Sequence, residues 1–202
     1  MIKVCMLGIF SYSGDARVRG YAQSLRRAGH AVDVLELHGS QSSRIEGAVD
    51  EDGVRVFTIA VRLTSGSRLR YLFEYALSFL LLGFRVTRLH FQNRYDVIHV
   101  HNMPDFLVFS CLVPKLMGAR IILDVHDPLP EVYLSKYPTK RGGIGLRLVC
   151  LEEKLSARFA SAVIAANAHF KENLIGRGTP DPKITTINNF PDTRLFHPSK
   201  SR

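Results

Sequence analysis

The stretch IILDVHDPLPE, residues 121–131, is the starting point for interpreting this chain. It begins with an apolar run, as a strand buried on both faces does, and charged residues follow at once. Pro128 cannot donate a hydrogen bond to a neighbouring strand, so we expect the strand to end by Asp127. Alternation along a strand places Asp124 and His126 on the same side. The stretch therefore predicts a polar group at the end of a buried strand.

Similar apolar runs recur along the chain, and segments with helical periodicity separate them. The other runs are Val4–Ile9, Val32–Leu37, Val54–Val61, Val97–Val100, Ala162–Ala166 and Ile184–Ile187. The first helical segment is capped by Asp15 and ends at Gly29. The later ones are Leu69–Leu89, Asp105–Met117, Leu146–Ala160 and His169–Ile175. This alternation predicts an α/β fold, a Rossmann-like, doubly wound and mostly parallel sheet of about seven strands with helices on both faces.

Ligands of such sheets bind outside the carboxyl ends of the strands. We therefore expect three loops to converge, residues 10–15, 101–105 and 126–131. In the first, Ser13 and Gly14 precede a helix and could expose backbone N–H groups to an anion. Neither GxGxxG nor GxxxxGK[ST] is present, which argues against a dinucleotide site or a P-loop. A second interpretation stays open, with Asp15 as a helix cap and Arg17 as a surface charge.

Histidines mark the other two loops. His99 and His101 share one face of a strand, and we expect them to be too far apart to chelate a metal readily. His101, at the strand end beside Asn102, is the better site candidate, and one of the two histidines fits a packed core residue. His126 beside carboxylates fits a hydrogen-bonding or proton-handling group. The alternative is that Asp127 and Glu131 cap the next turn.

Positive charge is concentrated in one part of the chain. The net charge is +9, and residues 53–95 hold seven arginines against a single acid, Glu74. Such a stretch attracts phosphates, anionic lipid or nucleic acid, or it is a solvated helix face. No helix-turn-helix, RRM or KH signature is present, so no nucleic-acid partner is predicted.

The apolar run 75–84 is about half the length that spans a bilayer. With flanking arginines it fits either a helix on an anionic membrane surface, through residues 68–88, or a helix buried against the sheet.

Cysteine usage and the N-terminus bear on the compartment. Cys5, Cys111 and Cys150 are far apart and follow no metal-binding spacing, which fits apolar core residues in a reducing compartment. The first residues, MIKVCMLGIF, include no small-residue cleavage site and predict a first strand rather than a signal peptide. A cytoplasmic location is therefore expected, peripheral at the inner face of the membrane if residues 68–88 bind lipid.

Several segments, in order along the chain, resemble the amino-terminal half of family 4 glycosyltransferases of the GT-B fold. They are SGDARVRGYAQSLRRAGHAVDVLEL (13–37), YDVIHVHN (95–102), GARIILDVHDPLPE (118–131), LEEKLSARFASAVIAANAHFKENLIGRG (151–178) and KITTINNFPDTRLFHP (183–198). The resemblance implies a retaining transfer of a sugar from a nucleotide-sugar to a glycan or lipid-linked acceptor. It also implies that the amino-terminal domain binds the acceptor and that neither a metal nor another cofactor is needed.

The same resemblance suggests roles for the residues of the three loops. His126 and Asp127 match the catalytic position. His101, Asn102, Glu131 and Arg17 would line the acceptor side, and Ser13, Gly14 and Asp15 would form the loop near the donor. Many relatives have a double glycine where this chain has Ser13-Gly14-Asp15. In those relatives the motif implies contact with the donor diphosphate, and for Gly14 of this chain the resemblance does not imply that contact.

The E-x7-E pattern of the nucleotide-sugar-binding domain is absent. We therefore expect residues 1–188 to form the N-terminal domain and residues 189–202 to start a linker to a missing C-terminal domain, so that the chain alone is inactive. The alternative is a carbohydrate- or polyanion-binding module without catalytic activity.

Overall fold

The computed structural model describes residues 1–38, 48–49, 53–61, 68–137 and 143–189. Its strands are β1 (Lys3–Gly8), β2 (Ala31–His38), β3 (Ala48–Val49), β4 (Arg55–Ala60), β5 (Val97–His101), β6 (Arg120–Val125), β7 (Ala162–Ala165) and β8 (Ile184–Thr186). Its α-helices are α1 (Ala16–Arg27), α2 (Arg68–Asn93), α3 (Leu112–Leu116), α4 (Leu129–Lys136), α5 (Ile144–Phe159) and α6 (Ala168–Gly176), and 3-10 helices lie at Asp105–Cys111 and Asp181–Lys183.

All described strands belong to one sheet with the order β3-β4-β2-β1-β5-β6-β7-β8. Seven strands are parallel, and the two-residue β3 pairs antiparallel with β4 at one edge. The predicted Rossmann-like, mostly parallel sheet of about seven strands is confirmed. Strand order reverses between β1 and β5, and in doubly wound sheets this switch point is where ligands bind.

Strand β1 shows how both faces of the sheet are covered. Cys5 and Leu7 belong to a core cluster that includes Leu82 and Val86 of α2. Val4 and Met6, which alternate with them, belong to a second cluster with Val18 and Ala22 of α1. Helices on both faces thus explain why the strands are apolar at nearly every position.

One helix prediction and one loop prediction were wrong in detail. The segment predicted as one helix, Asp105–Met117, is a 3-10 helix followed by the five-residue α3. Ser110 Oγ donates to the Leu107 carbonyl at 2.7 Å, and Pro114 has no N–H to donate, so regular α-helical bonding is disfavoured there.

The second error concerns the exit from β6. The prolines of residues 128–131 indicated a loop, yet α4 begins at Leu129. Pro130 lies in the first turn of that helix, where its missing N–H leaves no hydrogen bond unmade. Residues 190–202, which include nearly all of the predicted linker, lie outside the described residues.

Candidate functional site

The carboxyl ends of β5 and β6 are tied together by one side chain, Asn102. Its Nδ2 donates to the carbonyl oxygen of Asp127 at 2.8 Å, and its Oδ1 accepts from the N–H of His126 at 3.0 Å. Its own N–H donates to the Asp124 carbonyl at 3.1 Å. Asn102 therefore fixes the backbone that carries His126.

The loop after β1 packs against the same edge. The Phe10 ring meets the His101 ring edge-on, with centroids 5.5 Å apart. A Cβ added to Gly8 would lie 2.8 Å from the Phe10 ring and 3.1 Å from the His101 carbonyl oxygen, so this close approach requires glycine. Tyr12 N–H donates to the buried Glu36 carboxylate at 2.6 Å, which anchors the loop to β2. The contacts thus bring the three predicted loops together.

A buried cluster of three histidines surrounds Asp124. Its Oδ2 lies 3.2 Å from His99 Nε2, 3.0 Å from His101 Nδ1 and 3.3 Å from His126 Nε2. His101 and Asp124 are paired in register on neighbouring strands, which explains their contact. The Asp124 side chain is completely buried and that of His126 is 4% exposed.

The expectation that His99 and His101 are too far apart to chelate was wrong. Their rings stack with centroids 4.3 Å apart, and each has a nitrogen close to Asp124 Oδ2, at 3.2 Å for His99 and 3.0 Å for His101. One ligand atom each from His99, His101 and Asp124 lie within 4.8 Å of one another, so these three residues could hold a metal ion. Adjacent strands of a twisted sheet allow side chains two residues apart to converge on a neighbour's side chain, and strand spacing alone did not capture this.

Burial and the imidazoles together determine the charge of the cluster. Burial by itself raises the pKa of Asp124, but the imidazoles of His101, His126 and His99 outweigh it and hold the pKa well below its ordinary value. Burial, together with the neighbouring His99, lowers the pKa of His101 to about 3. At neutral pH the cluster therefore holds an aspartate anion and a neutral His101.

Tyr21 of α1 covers the cluster. Its ring centroid is 5.3 Å from that of His99 and 6.1 Å from that of His101. Burial, and then the Asp124 anion, raise the pKa of Tyr21 to about 12, so its hydroxyl stays protonated.

Many polar atoms at this edge lack hydrogen-bond partners. Among the described residues, eleven buried side-chain nitrogen and oxygen atoms have none, and seven of them belong to His101, Asp105, Asp124 and His126. Burial, and then the nearby Glu152, raise the pKa of Asp105 to about 7. Buried polar atoms are nearly always paired in proteins, and exceptions concentrate where a ligand, water or ion binds.

The loop before α1, residues 10–15, has a clear local structure. Asp15 accepts from the N–H groups of Arg17 at 3.1 Å and Val18 at 3.2 Å, and so caps α1. The N–H groups of Gly14 and Asp15 donate to the Ser11 carbonyl, and the Ser13 hydroxyl lies 3.1 Å from that of Ser11. The Arg17 guanidinium is 3.1 Å from Asp15. The cap interpretation of Asp15 is therefore correct, and these N–H groups are not free for an anion.

The acids after His126 have other surroundings. Glu131 accepts from Arg177 at 2.8 Å and from Asn173 at 2.7 Å, and Arg177 also binds the buried Glu153 at 2.6 Å. Glu131 thus links α4 to α5 and α6. The Asp127 side chain is exposed. The carboxylate beside the His126 ring is that of Asp124.

Three residues of this site were not among the predicted site residues, namely His99, Asp105 and Asp124. Strand alternation placed Asp124 on the side of His126 and His99 on the side of His101, so the sequence pattern could have identified Asp124 and His99 as site residues. Asp105 was marked only as the last residue of the predicted loop 101–105 and the first of the following helix.

A family model for the glycosyl transferase 4-like domain matches residues 14–189. The chain belongs to this family. It is therefore a glycosyltransferase-type domain with the GT-B architecture, as the resemblance predicted. Its own sequence has no match among curated proteins.

Solved structures with the same fold are distant in sequence. The chain is similar to sucrose-phosphate synthase from Thermosynechococcus elongatus, with 16% identity, a TM-score of 0.68, and coverage of 98% of this chain and 50% of that one. It is also similar to Anabaena HepE in complex with UDP and glucose, with 18% identity, a TM-score of 0.58, and coverage of 98% and 48%.

A third similar structure is a putative UDP-N-acetylglucosamine 2-epimerase from Listeria monocytogenes, with 12% identity, a TM-score of 0.59, and coverage of 91% and 44%. The chain thus spans about half the length of these proteins. At such identities the likeness establishes the fold alone, and the family follows from the family model. No helix among the described residues is long and apolar enough to cross a membrane.

Proposed function

We propose that this chain is the acceptor-binding, N-terminal half of a retaining glycosyltransferase. The enzyme would move a hexose-type sugar from a nucleotide-sugar to a glycan or lipid-linked acceptor. The family membership supports transfer, and one observation carries the choice of site. His126 lies at the carboxyl edge of the sheet, and neither of its buried ring nitrogens has a hydrogen-bond partner, although Nε2 is 3.3 Å from Asp124 Oδ2.

In the proposed reaction the bond between the anomeric carbon and the donor phosphate breaks, and a bond to the acceptor oxygen forms on the same face of the sugar. The acceptor hydroxyl gives its proton to the leaving phosphate oxygen, and no metal or other cofactor takes part in this step. His126 would hydrogen-bond the sugar and stabilise the positive charge that develops at the anomeric carbon. Burial of the imidazole makes that interaction stronger than it would be in water.

The remaining residues would position the two substrates. His101, Asn102 and Arg17 would border the acceptor, together with Glu131 where it is not engaged by Arg177. The exposed Asp127 side chain would contact the sugar beside His126. Ser13, Gly14 and Asp15 would border the donor, and the N–H groups already bonded in that loop argue for side-chain rather than backbone contacts with the diphosphate.

A second domain would supply the nucleotide-sugar site. Support comes from coverage, because the chain spans about half of each similar solved structure. Residues 1–202 alone would then bind an acceptor and transfer nothing.

The test is to express the reading frame with whatever sequence follows Arg202 and to measure release of nucleoside diphosphate from a panel of nucleotide-sugars with glycan and lipid-linked acceptors. We expect acceptor-dependent release with retained anomeric configuration from the longer protein and none from residues 1–202. Release with inversion, or no release with any donor although acceptors bind in calorimetry, would contradict the proposal. The second result would favour a non-catalytic binding module.

We also propose that α2 docks the domain on the anionic surface of the cytoplasmic membrane leaflet. Four exposed apolar side chains, Phe73, Leu80, Phe84 and Phe91, recur at spacings that place them on one face of the helix. Arg88 lies on that face between Phe84 and Phe91 and is exposed. An apolar stripe with arginines beside it is typical of helices that lie in the interface of anionic membranes.

Arginines of residues 53–95 that are engaged within the domain contribute less to membrane binding than the composition suggested. Arg55 is neutralised by Asp33, and the Arg85 guanidinium lies over the Phe57 ring, 5.9 Å from its centroid. Arg62 lies outside the described residues, as does the side chain of Arg68. The proposed contact therefore depends on apolar insertion as well as on charge.

Vesicle co-sedimentation tests this contact. We expect binding to vesicles containing phosphatidylglycerol, weaker binding to phosphatidylcholine alone, and loss of binding when Leu80 and Phe84 are both changed to serine. The matched control is Leu148→Ser on α5, which removes an equally exposed leucine from another surface. Binding that is independent of anionic lipid, or equally weakened by the control, would contradict the proposal.

A further inference from the structure

The arrangement around Asp124 is unusual for a hydrogen-bonded carboxylate. Three imidazole nitrogens lie 3.0 to 3.3 Å from Oδ2, while Oδ1 is buried without any partner. A carboxylate that only accepted hydrogen bonds would gain more by sharing the donors between its two oxygens. Three nitrogens gathered around one oxygen indicate that a single ion next to that oxygen could bind several of these atoms.

The directions of the nitrogens support the same view. His99 Nε2 has hydrogen-bond geometry toward Oδ2, but His101 Nδ1, although only 3.0 Å away, does not. A nitrogen that ligates an ion directs its lone pair at the ion and not at the neighbouring ligand, as found for His101 Nδ1; His99 Nε2 would turn from Oδ2 toward the ion on binding. Around a tetrahedral zinc ion with bonds of about 2.0 Å, ligand atoms are about 3.3 Å apart, which is close to the distances found here.

We propose that His99, His101 and Asp124 form a site for a divalent metal ion of the zinc class that holds β5 to β6. Two imidazoles and one carboxylate are donors that suit zinc, cobalt or nickel better than magnesium or calcium. The geometry carries the proposal, because one ligand atom from each of the three residues lies within 4.8 Å of the other two.

This site goes beyond the proposed transfer reaction and is structural. The ion would sit behind the catalytic position, since the His126 ring is stacked 6.0 Å from that of His101 and shares the Asp124 oxygen. It would bring positive charge next to His126 and fix the register of the two strands that carry the site. Metal content and turnover are separate measurements, so an experiment can distinguish failure of the metal site from failure of the proposed transfer.

The experiment uses the untagged chain, stripped with a chelator and then equilibrated with Zn²⁺ or with Co²⁺ as a spectroscopic probe. We expect one metal per chain by elemental analysis after gel filtration, a visible Co²⁺ absorption band typical of tetrahedral nitrogen and oxygen coordination, and a higher melting temperature that chelator reverses. Asp124→Asn should weaken binding by at least about ten-fold.

His99→Gln provides a second variant in case Asp124→Asn does not fold, and it should weaken binding to a similar extent. The matched control is His90→Gln, which removes a histidine that is equally buried but outside the cluster. Its metal content should equal that of the wild type. Failure of the wild-type chain to retain metal, or equal retention by the cluster variants, would overturn the proposal, and either result would leave the transfer assay to decide the function separately.

Discussion

The two edges of the sheet each bury an aspartate, and the surroundings of the two carboxylates are opposite. At the amino edge, both oxygens of Asp33 accept from Arg55, at 2.7 and 2.6 Å, and Oδ2 also accepts from the Tyr95 hydroxyl at 2.5 Å. At the carboxyl edge, Asp124 has three imidazoles on one oxygen and none on the other.

The difference separates a carboxylate whose partners all lie within the chain from one that retains capacity for a ligand. A carboxylate whose hydrogen-bonding capacity is met inside the chain stabilises the fold and has nothing left for a ligand. Buried polar atoms without hydrogen-bond partners destabilise the isolated chain. Binding of an ion or substrate supplies those partners and removes the destabilisation. The unpaired atoms of Asp105, Asp124 and His126 at the ligand-binding edge fit the second case.

The first prediction tests the amino edge. Arg55→Ala removes the partner of a buried carboxylate and should lower the free energy of unfolding by about 2 kcal/mol, because Asp33 keeps only the Tyr95 hydroxyl while water partly screens the half-exposed Arg55. Chemical denaturation measures this change. Arg88→Ala, which removes an exposed arginine, is the control and should have almost no effect. Equal small effects of both changes would refute the assignment of Asp33 as a structural group.

The second prediction tests Asp105 at the carboxyl edge through pH. Its pKa is about 7 in the folded chain against an ordinary value of 3.8, so the folded state holds a proton that the unfolded state has lost between these values. Asp105 therefore reduces stability as the pH rises toward neutrality, and the effect is complete above about pH 7. Asp105→Asn does not titrate and should be more stable than the wild type by about 2 kcal/mol at pH 8, with a much smaller difference near pH 4.5.

Thermal melts or urea titrations of both proteins across this pH range provide the measurement. Glu172→Gln changes an exposed carboxyl and should show no such pH-dependent difference from the wild type. A difference between Asp105→Asn and the wild type that does not vary with pH would show that Asp105 titrates normally.

The smallest expected effect concerns the loop beside α1. Asp15→Ala should lower stability by about 1 kcal/mol because the N–H groups of Arg17 and Val18 lose their cap. Asp15→Ser keeps a capping oxygen and should restore most of that loss in denaturation experiments. If the alanine variant matched the wild type, Asp15 would not act as a cap and its carboxylate would be available for other contacts.

Much of the fold could be predicted from the sequence because local patterns determine it. Runs such as Val4–Ile9 are apolar on both faces, and helices cover both faces of β1. The same reasoning failed where two local signals compete. Pro128 and Pro130 indicate a loop, but proline is also favoured in the first turn of a helix, and the sequence alone did not decide between them.

The convergence of the three loops was predictable, whereas the side-chain contacts within it were less so. The loops meet at the carboxyl edge because parallel strands all end there, which topology dictates. Which carboxylate faces His126 depends on strand register and twist, so Asp124 rather than Asp127 or Glu131 is the partner of its ring. Arg177, which engages Glu131, lies far away in the chain, and its contact could not be anticipated from local pattern.

We propose that the sugar is transferred at the carboxyl edge of the sheet, with His126 at its centre. The most direct test compares turnover of the longer protein with that of His126→Ala and of His90→Ala, a buried histidine remote from this edge, once circular dichroism has established that each is folded. The account predicts a loss of at least about 100-fold for His126→Ala and near wild-type turnover for His90→Ala. Wild-type turnover in folded His126→Ala would contradict it.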